Sequence, residues 1–378
     1  MPRIRLPVAD SCRAERPLGF EELLQRENLP PRGEIPQEFL TRFSDRRVFV
    51  SGDEAPLPVQ DCGHGLAMFR LPPNAYLGRR GQTMEVQDGD RFREERGPLD
   101  AYRPEWAGYL DHPKISTVPQ QPDLRRANGQ RMVPEHVFDP DGRSFFYPAH
   151  YPMHCIGRLE IYDEWGSPWR RTGTATLVGS KTIVTAAHCM PPIGRGAWGV
   201  RFVPAYSQGF SAVGMDSWCE EYRVATTSVS DATEAFDVAV AKLYDPLGDA
   251  LGWFGARSYN DDWEDEELWT LVGYPDSALG LKSDGQWPTL QHGVRVVDDD
   301  PDGAFAEIEH MGDTSDGNSG GPLFGTWPEG PYVIGVHSGY EHRTIDLRIA
   351  EIVAENNNVA GGGRGMVEMI RQARVDWP

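Results

Sequence analysis

Short apolar segments bounded by turn-forming residues recur along the chain from about Val133 onwards. Many are rich in β-branched side chains, and the Gly-Ser-Lys sequence at 179–181 that joins two of them is typical of a hairpin turn. The pattern predicts strands at 174–178, 182–185, 238–241, 269–274 and 332–337. Residues 366–371 have helical apolar spacing. We therefore expect residues 133–378 to form an all-β domain that ends in a helix.

The first 132 residues have a different pattern, in which brief apolar runs are separated by prolines. They hold 15 of the 31 prolines of the chain. A short helix is predicted to start at residues 20–24 and to end before Pro30 and Pro31. We therefore divide the chain into a Pro-rich extension, residues 1–132, and the β domain, residues 133–378.

Charge follows the same division. The chain has a formal net charge of −20, whereas residues 1–132 carry 20 basic and 20 acidic side chains, so all of the net charge lies on residues 133–378. This acidity argues against nucleic acid or an anionic membrane surface as a partner. No run of eighteen apolar residues is present, so no membrane span is predicted.

The compartment is predicted only weakly. Residues 1–13 lack the apolar segment of a secretory signal, and the number of cysteines is odd. These features favour the cytoplasm slightly, with secretion as the alternative.

Three segments carry residues suited to nucleophilic catalysis. Ser319 lies in Asp-Gly-Asn-Ser-Gly-Gly-Pro, where flanking glycines permit a tight turn that exposes a hydroxyl beside main-chain N–H groups. His188 lies in Thr-Ala-Ala-His-Cys, just after a predicted strand, and Asp237 lies in Phe-Asp-Val-Ala-Val, just before one. A histidine oriented by a carboxylate is the base that a serine hydroxyl needs near neutral pH.

Taken together, these segments resemble the chymotrypsin-type serine endopeptidases, in which the order is His, Asp, Ser. The spacing agrees, with 49 residues from His188 to Asp237 and 82 from Asp237 to Ser319. The resemblance implies two six-stranded antiparallel β-barrels followed by a C-terminal helix. It implies that Ser319 is the nucleophile, His188 the general base and Asp237 the orienting carboxylate, with Gly317 and Ser319 N–H groups as the oxyanion hole. Protein or peptide substrates would be hydrolysed through an acyl-enzyme, without a cofactor or a metal.

Within these peptidases, the chain from about Val137 onwards resembles the glutamyl-endopeptidase-like branch. The resemblance is carried by 137–143, 237–243, 252–255, 273–275 and 334–337, in addition to the histidine segment. It implies that His337 and Thr314 read an acidic substrate side chain. Ser338 and Gly339 would offer their main chain to the substrate as an added strand.

Asp313 opposes this specificity, because trypsin-like relatives carry at this place the aspartate that attracts Arg or Lys. Three interpretations stay open: Asp313 pairs with His337, it points away from the pocket, or it binds basic substrates. Cleavage after Glu or Asp is thus expected, and cleavage after Arg or Lys is not excluded.

Other roles remain open for the chain. The fold could serve as a catalytically silent binding protein whose extension carries the interaction. The extension itself could be a pro-segment that covers the cleft in self-inhibition, a partner-binding region or a structural wrap. Cleavage before Val133 or Val137 is a further hypothesis.

Two smaller questions concern cysteines and metals. Gly173 occupies the place where secreted relatives carry the partner of Cys189, so that disulfide is expected to be absent, whereas pairing of Cys189 with Cys155 or Cys219 stays open. The acidic runs 261–267 and 298–302 could hold calcium, but their spacing matches no EF-hand and favours solvated loops. The histidines interpreted as structural are His64, His112 and His154.

Overall fold

The computed structural model describes residues 16–44, 59–61, 67–69, 80–84, 86, 97–111, 113, 115, 137–138, 140–163, 170–194, 198–230, 233–342 and 356–378. The helices are α1 (Phe20–Gln25), α2 (Gln37–Ser44), α3 (Leu247–Leu251) and α4 (Gly363–Asp376). Most of the remaining regular structure is β-strand, so the predicted all-β class and C-terminal helix are confirmed. The predicted helix at residue 20 is also confirmed, and it ends before the Pro30-Pro31 pair.

The described residues of the first half of the chain contain twelve strands, six of which build one closed barrel. They are β1 (Val59–Asp61), β2 (Ala67–Phe69), β3 (Arg80–Thr83), β4 (Ser144–Phe145), β5 (Ile156–Tyr162), β6 (Arg171–Leu177), β7 (Thr182–Thr185), β8 (Gly199–Pro204), β9 (Tyr206–Ser207), β10 (Phe210–Ser211), β11 (Ser217–Val224) and β12 (Ala239–Leu243). Six of them pair antiparallel in the order β12-β7-β6-β5-β8-β11, and β11 pairs with β12 to close the ring. The first predicted barrel is therefore confirmed.

Apolar side chains on successive strands fill this barrel. Leu159, Leu177, Ile183, Phe202 and Val240 are all fully buried. Their burial supplies hydrophobic free energy that favours the observed register, because a shift by one residue would turn each of them to the other face of its strand. His188 and Asp237 lie on turns at the ends of two of these strands.

The second half forms a nine-stranded sheet. Its strands are β13 (Gly255–Ala256), β14 (Trp269–Gly273), β17 (Thr289–Val294), β18 (Val296–Asp302), β19 (Phe305–His310), β20 (Pro322–Trp327), β21 (Gly330–His342) and β22 (Asn356–Gly362), together with β4, while β15 (Ser277–Ala278) and β16 (Leu281–Lys282) form a separate hairpin. The order is β18-β19-β22-β21-β20-β14-β17-β4, with β13 parallel to β21. The end strands do not pair in the part of the chain that is described, so closure into a second barrel stays a prediction.

Tryptophans dominate the core of the second sheet. The rings of Trp263, Trp269 and Trp327 lie 5.7–6.1 Å apart, centre to centre, in tilted or edge-on arrangements. Such offset geometry is favoured by the aromatic quadrupole.

The described parts of the extension pack against both sheets. β3 pairs parallel with β11 over Glu221–Val224 and becomes a seventh strand on the first barrel. Leu99 exchanges two main-chain hydrogen bonds with Ala256, of 2.9 and 3.0 Å. On the second sheet, the Leu18 N–H donates to the Thr326 carbonyl over 2.8 Å. These contacts are of the kind expected for a structural wrap.

Helix α4 connects three separate segments through Arg374. Its half-buried guanidinium donates to the carbonyl groups of Val178, Phe254 and Asp100, the last of which belongs to the extension. The carbonyls satisfy this cation, and desolvation lowers the pKa of Arg374 to about 10.

None of the helices within the described ranges is long and apolar enough to cross a membrane.

Candidate active site

His188 and Asp237 lie at neighbouring strand ends of the barrel. β7 ends at Thr185 and leads into a 3-10 turn that carries His188, while a second 3-10 turn, Glu234–Phe236, places Asp237 just before β12. Because β7 and β12 pair antiparallel with Thr185 opposite Ala239, the two side chains meet. The barrel register thus positions both groups.

The Asp237 carboxylate binds His188 through both oxygens. One oxygen accepts from the ring Nδ1 over 2.6 Å, and the other accepts from the main-chain N–H over 2.9 Å. Since an ionised carboxylate only accepts hydrogen bonds, the ring proton lies on Nδ1 and the lone pair of the neutral imidazole lies on Nε2. This is the tautomer that a general base requires.

Ser338 supplies a third hydrogen bond to Asp237, a role that the sequence analysis missed. The hydroxyl of Ser338 donates over 2.6 Å to the same oxygen that binds the histidine ring. Asp237 itself is fully buried, and these three donors compensate its charge. Ser338 was predicted only to bind the substrate main chain.

The His188 ring lies between the buried Asp237 carboxylate and solvent, with 35% of the His188 side chain exposed. Burial lowers its pKa, but the neighbouring Cys189 and the Asp237 carboxylate raise it by more, so the net pKa lies above the usual value. The imidazolium is thereby stabilised, as expected beside a carboxylate.

Ser319 lies on a loop held against the first barrel. Its carbonyl accepts from the Thr174 N–H over 2.8 Å and from the Cys189 thiol over 3.6 Å. Because Cys189 follows His188 directly, these contacts bring the serine loop next to the histidine turn. Ser319 is partly exposed, as a nucleophile must be.

Two hydrogen bonds orient the main chain just before Ser319. The Asp316 carbonyl accepts from the Asp276 N–H over 2.6 Å, and the Gly317 carbonyl accepts from the Thr174 hydroxyl over 2.9 Å. Since the C=O and N–H of a trans peptide point in opposite directions, the first anchor turns the Gly317 N–H away from Asp276. Among the described residues, the N–H groups of Gly317 and Ser319 donate to no other group. Both are therefore available to an oxyanion.

Gly317 is required by its conformation. Its φ is +91°, and a Cβ added there would lie 2.4 Å from the Tyr274 carbonyl oxygen. Only glycine fits both the left-handed backbone and this close approach.

Asp313 is bound by main-chain donors. Its two oxygens accept from the N–H groups of Phe138 over 2.7 Å and Gly142 over 2.6 Å, and the residue is 1% exposed. Burial raises its pKa above the ordinary value, and the two N–H groups oppose this shift only in part. Both oxygens of the carboxylate are thus engaged by main-chain donors, while the three interpretations of its part in specificity stay open.

Thr314 follows Asp313 along the chain and His337 precedes Ser338, and both Thr314 and His337 are buried. The Thr314 hydroxyl makes no hydrogen bond within the described residues, although only 1% of the residue is exposed. A buried hydroxyl without a partner is costly unless a ligand supplies one.

The sequence analysis also missed His310, whose ring packs edge-on to that of His337 at 5.6 Å between centres. Its Nδ1 accepts from the Gly312 N–H over 3.1 Å, and burial lowers its pKa to about 3. It is therefore a neutral neighbour of His337. A lone histidine in the sequence carries no signal of this contact.

The described cysteines are all free thiols, so the disulfides left open for Cys189 with Cys155 or Cys219 are not formed. The Cys189 sulfur lies 2.9 Å from the position that a Cβ on Gly173 would occupy. The prediction that Gly173 faces Cys189 in place of a partner cysteine is confirmed. Cys12 and Cys62 lie outside the described residues.

Among the described residues, no cluster of three or more His, Cys, Asp or Glu side chains has an arrangement that could hold a metal ion. His154 contacts two carbonyl groups, those of Leu251 and Ala149, as expected of a structural histidine. His64 and His112 lie outside the described residues.

The sequence model of the trypsin family matches residues 162–355, just over half of the chain. A curated protein, the extracellular metalloprotease of Bacillus subtilis (strain 168), is 24% identical over 235 residues, which is 61% of this chain and 71% of that protein. Two similar solved structures are a Glu endopeptidase in complex with MPD (20% identity, TM-score 0.46, 63% of this chain and 99% of that chain) and the protease Anisep from Arthrobacter nicotinovorans (19% identity, TM-score 0.45, 62% and 99%).

Proposed function

We propose that this chain, which belongs to the trypsin family, is an active serine endopeptidase that cleaves peptide bonds in protein substrates through an acyl-enzyme. The observation that carries the proposal is the hydrogen bond between the Asp237 carboxylate and His188 Nδ1. It leaves Nε2 as the basic atom of a ring that lies beside the Ser319 loop.

The chemistry follows from these contacts. The Ser319 oxygen attacks the substrate carbonyl carbon as its proton passes to His188 Nε2, and the C=O π pair moves to the oxygen. The Gly317 and Ser319 N–H groups stabilise this oxyanion. The His188 proton then passes to the leaving nitrogen as the C–N bond breaks, and an ester to Ser319 remains. Water repeats the sequence with His188 as base, releasing the acid and restoring the serine.

A fluorophosphonate probe tests this proposal directly. We expect one probe per chain to be attached at Ser319, with labelling and proteolysis of casein both lost in Ser319→Ala. Ser228→Ala removes an exposed hydroxyl elsewhere and is the matched control. Labelling that survives in Ser319→Ala would overturn Ser319 as the nucleophile, whereas a wild-type chain that is neither labelled nor active would favour the catalytically silent binding protein.

For specificity, we propose cleavage after Glu or Asp. The unpartnered buried hydroxyl of Thr314 supports a polar group in the pocket. The two N–H groups that bind Asp313 support the proposal too, because they occupy the carboxylate that would otherwise oppose an acidic substrate. A buried hydroxyl built to bond a substrate group discriminates strongly against substrates that lack it.

Matched peptides with Glu, Gln, Lys or Leu before the cleaved bond test the preference. We expect the highest kcat/KM for Glu, and we expect Thr314→Val to lower the Glu-to-Leu ratio by about tenfold or more. Thr314→Ser, which keeps the hydroxyl, is the control. A preference for Lys in the wild-type chain would contradict acid recognition without affecting the assignment as a peptidase.

A further inference from the structure

Arg158 is a buried cation to which the catalytic scheme above gives no role. It lies on β5, and only 2% of the residue is exposed. Its guanidinium carbon lies 4.7 Å from the centre of the Tyr206 ring, and its Nε makes no hydrogen bond within the described residues. Burial of a charged group is costly unless other contacts compensate it. The remaining contacts of Arg158 therefore indicate where it acts.

These contacts lead to residues 275–286, the segment that contains the β15–β16 hairpin. Arg158 Nη1 donates to the Gly285 carbonyl over 3.2 Å. A Cβ added to Gly285 would lie 3.5 Å from both Cζ and Nε of Arg158, so the guanidinium lies directly against the main chain of this glycine. The first barrel thus supports the 275–286 segment through Arg158.

Hydrogen bonds within the 275–286 segment connect Gly285 to the beginning of the segment. The Gly285 N–H donates to the Pro275 carbonyl over 2.9 Å. The N–H groups of Ser283 and Asp284 both donate to the Asp276 carbonyl, over 2.6 and 2.9 Å. Displacement of Gly285 would therefore disturb the main chain at residues 275 and 276.

The main chain at Asp276 orients the oxyanion loop. Its N–H donates over 2.6 Å to the Asp316 carbonyl, and this hydrogen bond sets the direction of the Gly317 N–H. A continuous series of contacts thus runs from Arg158 to one of the two candidate oxyanion donors.

The charge of Arg158 supports the same role. A Cβ on Gly317 would lie 3.4 Å from Asp276 Oδ1, so a carboxylate lies close to the oxyanion donor. Burial and two neighbouring carboxylates raise the pKa of Asp276 above its ordinary value, and the positive charge of Arg158 opposes this shift. Negative charge near the reacting carbonyl disfavours an oxyanion, and a nearby cation reduces this effect.

We propose that Arg158 is a positioning residue for the oxyanion hole, which holds the 275–286 segment so that the Gly317 N–H faces the reacting carbonyl. This inference rests on the proposed peptidase function. Arg158 acts through Gly285 and Asp276 rather than by contact with the substrate. Because the oxyanion forms only as the carbonyl reacts, a displaced Gly317 N–H lowers kcat more than it weakens substrate binding.

Arg158→Met tests this role, because it removes the charge and the hydrogen bond to Gly285. We expect kcat to fall by about tenfold to a hundredfold, with KM changed by less than about threefold. A peptide trifluoromethyl ketone forms an oxyanion adduct with the serine, so its Ki should rise by the factor by which kcat/KM falls. Arg201→Met is the control, because Arg201 lies on the neighbouring strand β8 and binds Glu160 and Asp216 instead. It should leave kcat unchanged.

Arg158→Lys is the second variant, and it decides the question if Arg158→Met does not fold. Lysine keeps the charge but loses the planar fork that binds the carbonyl and stacks on Tyr206. We expect kcat to fall by about threefold to tenfold, again without a matching change in KM. Folded variants with wild-type kcat and Ki, or with a loss confined to KM, would overturn the role of Arg158.

Fluorophosphonate labelling of Ser319 in the wild-type chain distinguishes this inference from the proposed function. A wild-type enzyme that is labelled, with Arg158 variants of unchanged kcat, would overturn only the role of Arg158. A wild-type chain that is neither labelled nor active would overturn the peptidase function itself.

Discussion

The Ser338 hydroxyl and the His188 ring nitrogen both bind the same oxygen of Asp237, each over 2.6 Å. The strand that carries Ser338 is thereby tied to the two catalytic candidates. If Ser338 and Gly339 offer their main chain to a substrate, as the family resemblance implies, the peptide contacts a strand already fixed to the buried carboxylate. Binding and proton transfer would then be supported by one hydrogen-bond network.

Asp237→Asn should change the pH dependence as well as the rate. The pKa of His188 lies above its usual value because Cys189 and Asp237 together outweigh the effect of burial. The neutral ring is the base, so wild-type activity should rise as pH increases through this raised pKa. Asn removes the carboxylate, so the rise should move to lower pH, and kcat should fall by about four powers of ten. A pH profile of kcat/KM between pH 5 and 11 checks this, and an unmoved acid limb would contradict it.

Gly317→Ala should disable the oxyanion loop. The added Cβ would lie 2.4 Å from the Tyr274 carbonyl at a φ of +91°, so the loop must move. We expect kcat to fall by about two to three powers of ten, with a smaller change in KM. Gly209→Ala is the control, because Gly209 has a φ of +102° but nothing within 4 Å of its added Cβ. Equal activity of the two variants would argue against the assigned oxyanion donors.

A chain that begins at Val133 should be less stable. It lacks β3 and the main-chain hydrogen bonds of Leu18 and Leu99, and it leaves Arg374 without its Asp100 carbonyl. At about 0.5–1.5 kcal/mol per hydrogen bond, the loss should reach several kcal/mol. Thermal unfolding followed by circular dichroism measures it. A truncated chain of equal stability and higher activity would instead identify the extension as an inhibitory pro-segment.

Asp299→Asn should stabilise the protein at neutral and alkaline pH. Burial, Asp261 and Asp298 raise the pKa of Asp299 to about 6 from its ordinary value of 3.8. The folded state therefore binds a proton more tightly than the unfolded state, and stability is lost as pH rises between these values. Because the side chain is partly exposed, the gain from Asn should be below about 1 kcal/mol.

The corresponding change in Tm, about 1–3 °C at pH 8 and none at pH 3, is measurable by calorimetry. Asp302→Asn, at an exposed position of the same strand, is the control. An equal shift at both pH values would show that charge repulsion is not the cause.

Local features of the site could be predicted from the sequence because each depends on residues close along the chain. The strands at 174–178 and 182–185, the histidine turn after them and the glycine that faces Cys189 all agree with the structure. Apolar periodicity and turn residues determine such elements directly.

Contacts between a side chain and main-chain N–H groups far away along the chain could not be predicted. Asp313 binds N–H groups 175 and 171 residues away, and any residue type except proline could supply them. The hydrogen bond from the Ser338 hydroxyl to Asp237 gave no signal either, because it joins residues that lie 101 positions apart along the chain.

The parallel pairing of β3 also bears on how copies of this protein meet one another. At Glu221–Val224, β11 has β12 on one side and β3 on the other. An uncovered strand edge is a template for intermolecular β-sheet. The four residues of β3 cover this edge of β11 and so shield the barrel from aggregation. Loss of the extension would therefore expose the first barrel to self-association even where enough stability remained to keep it folded.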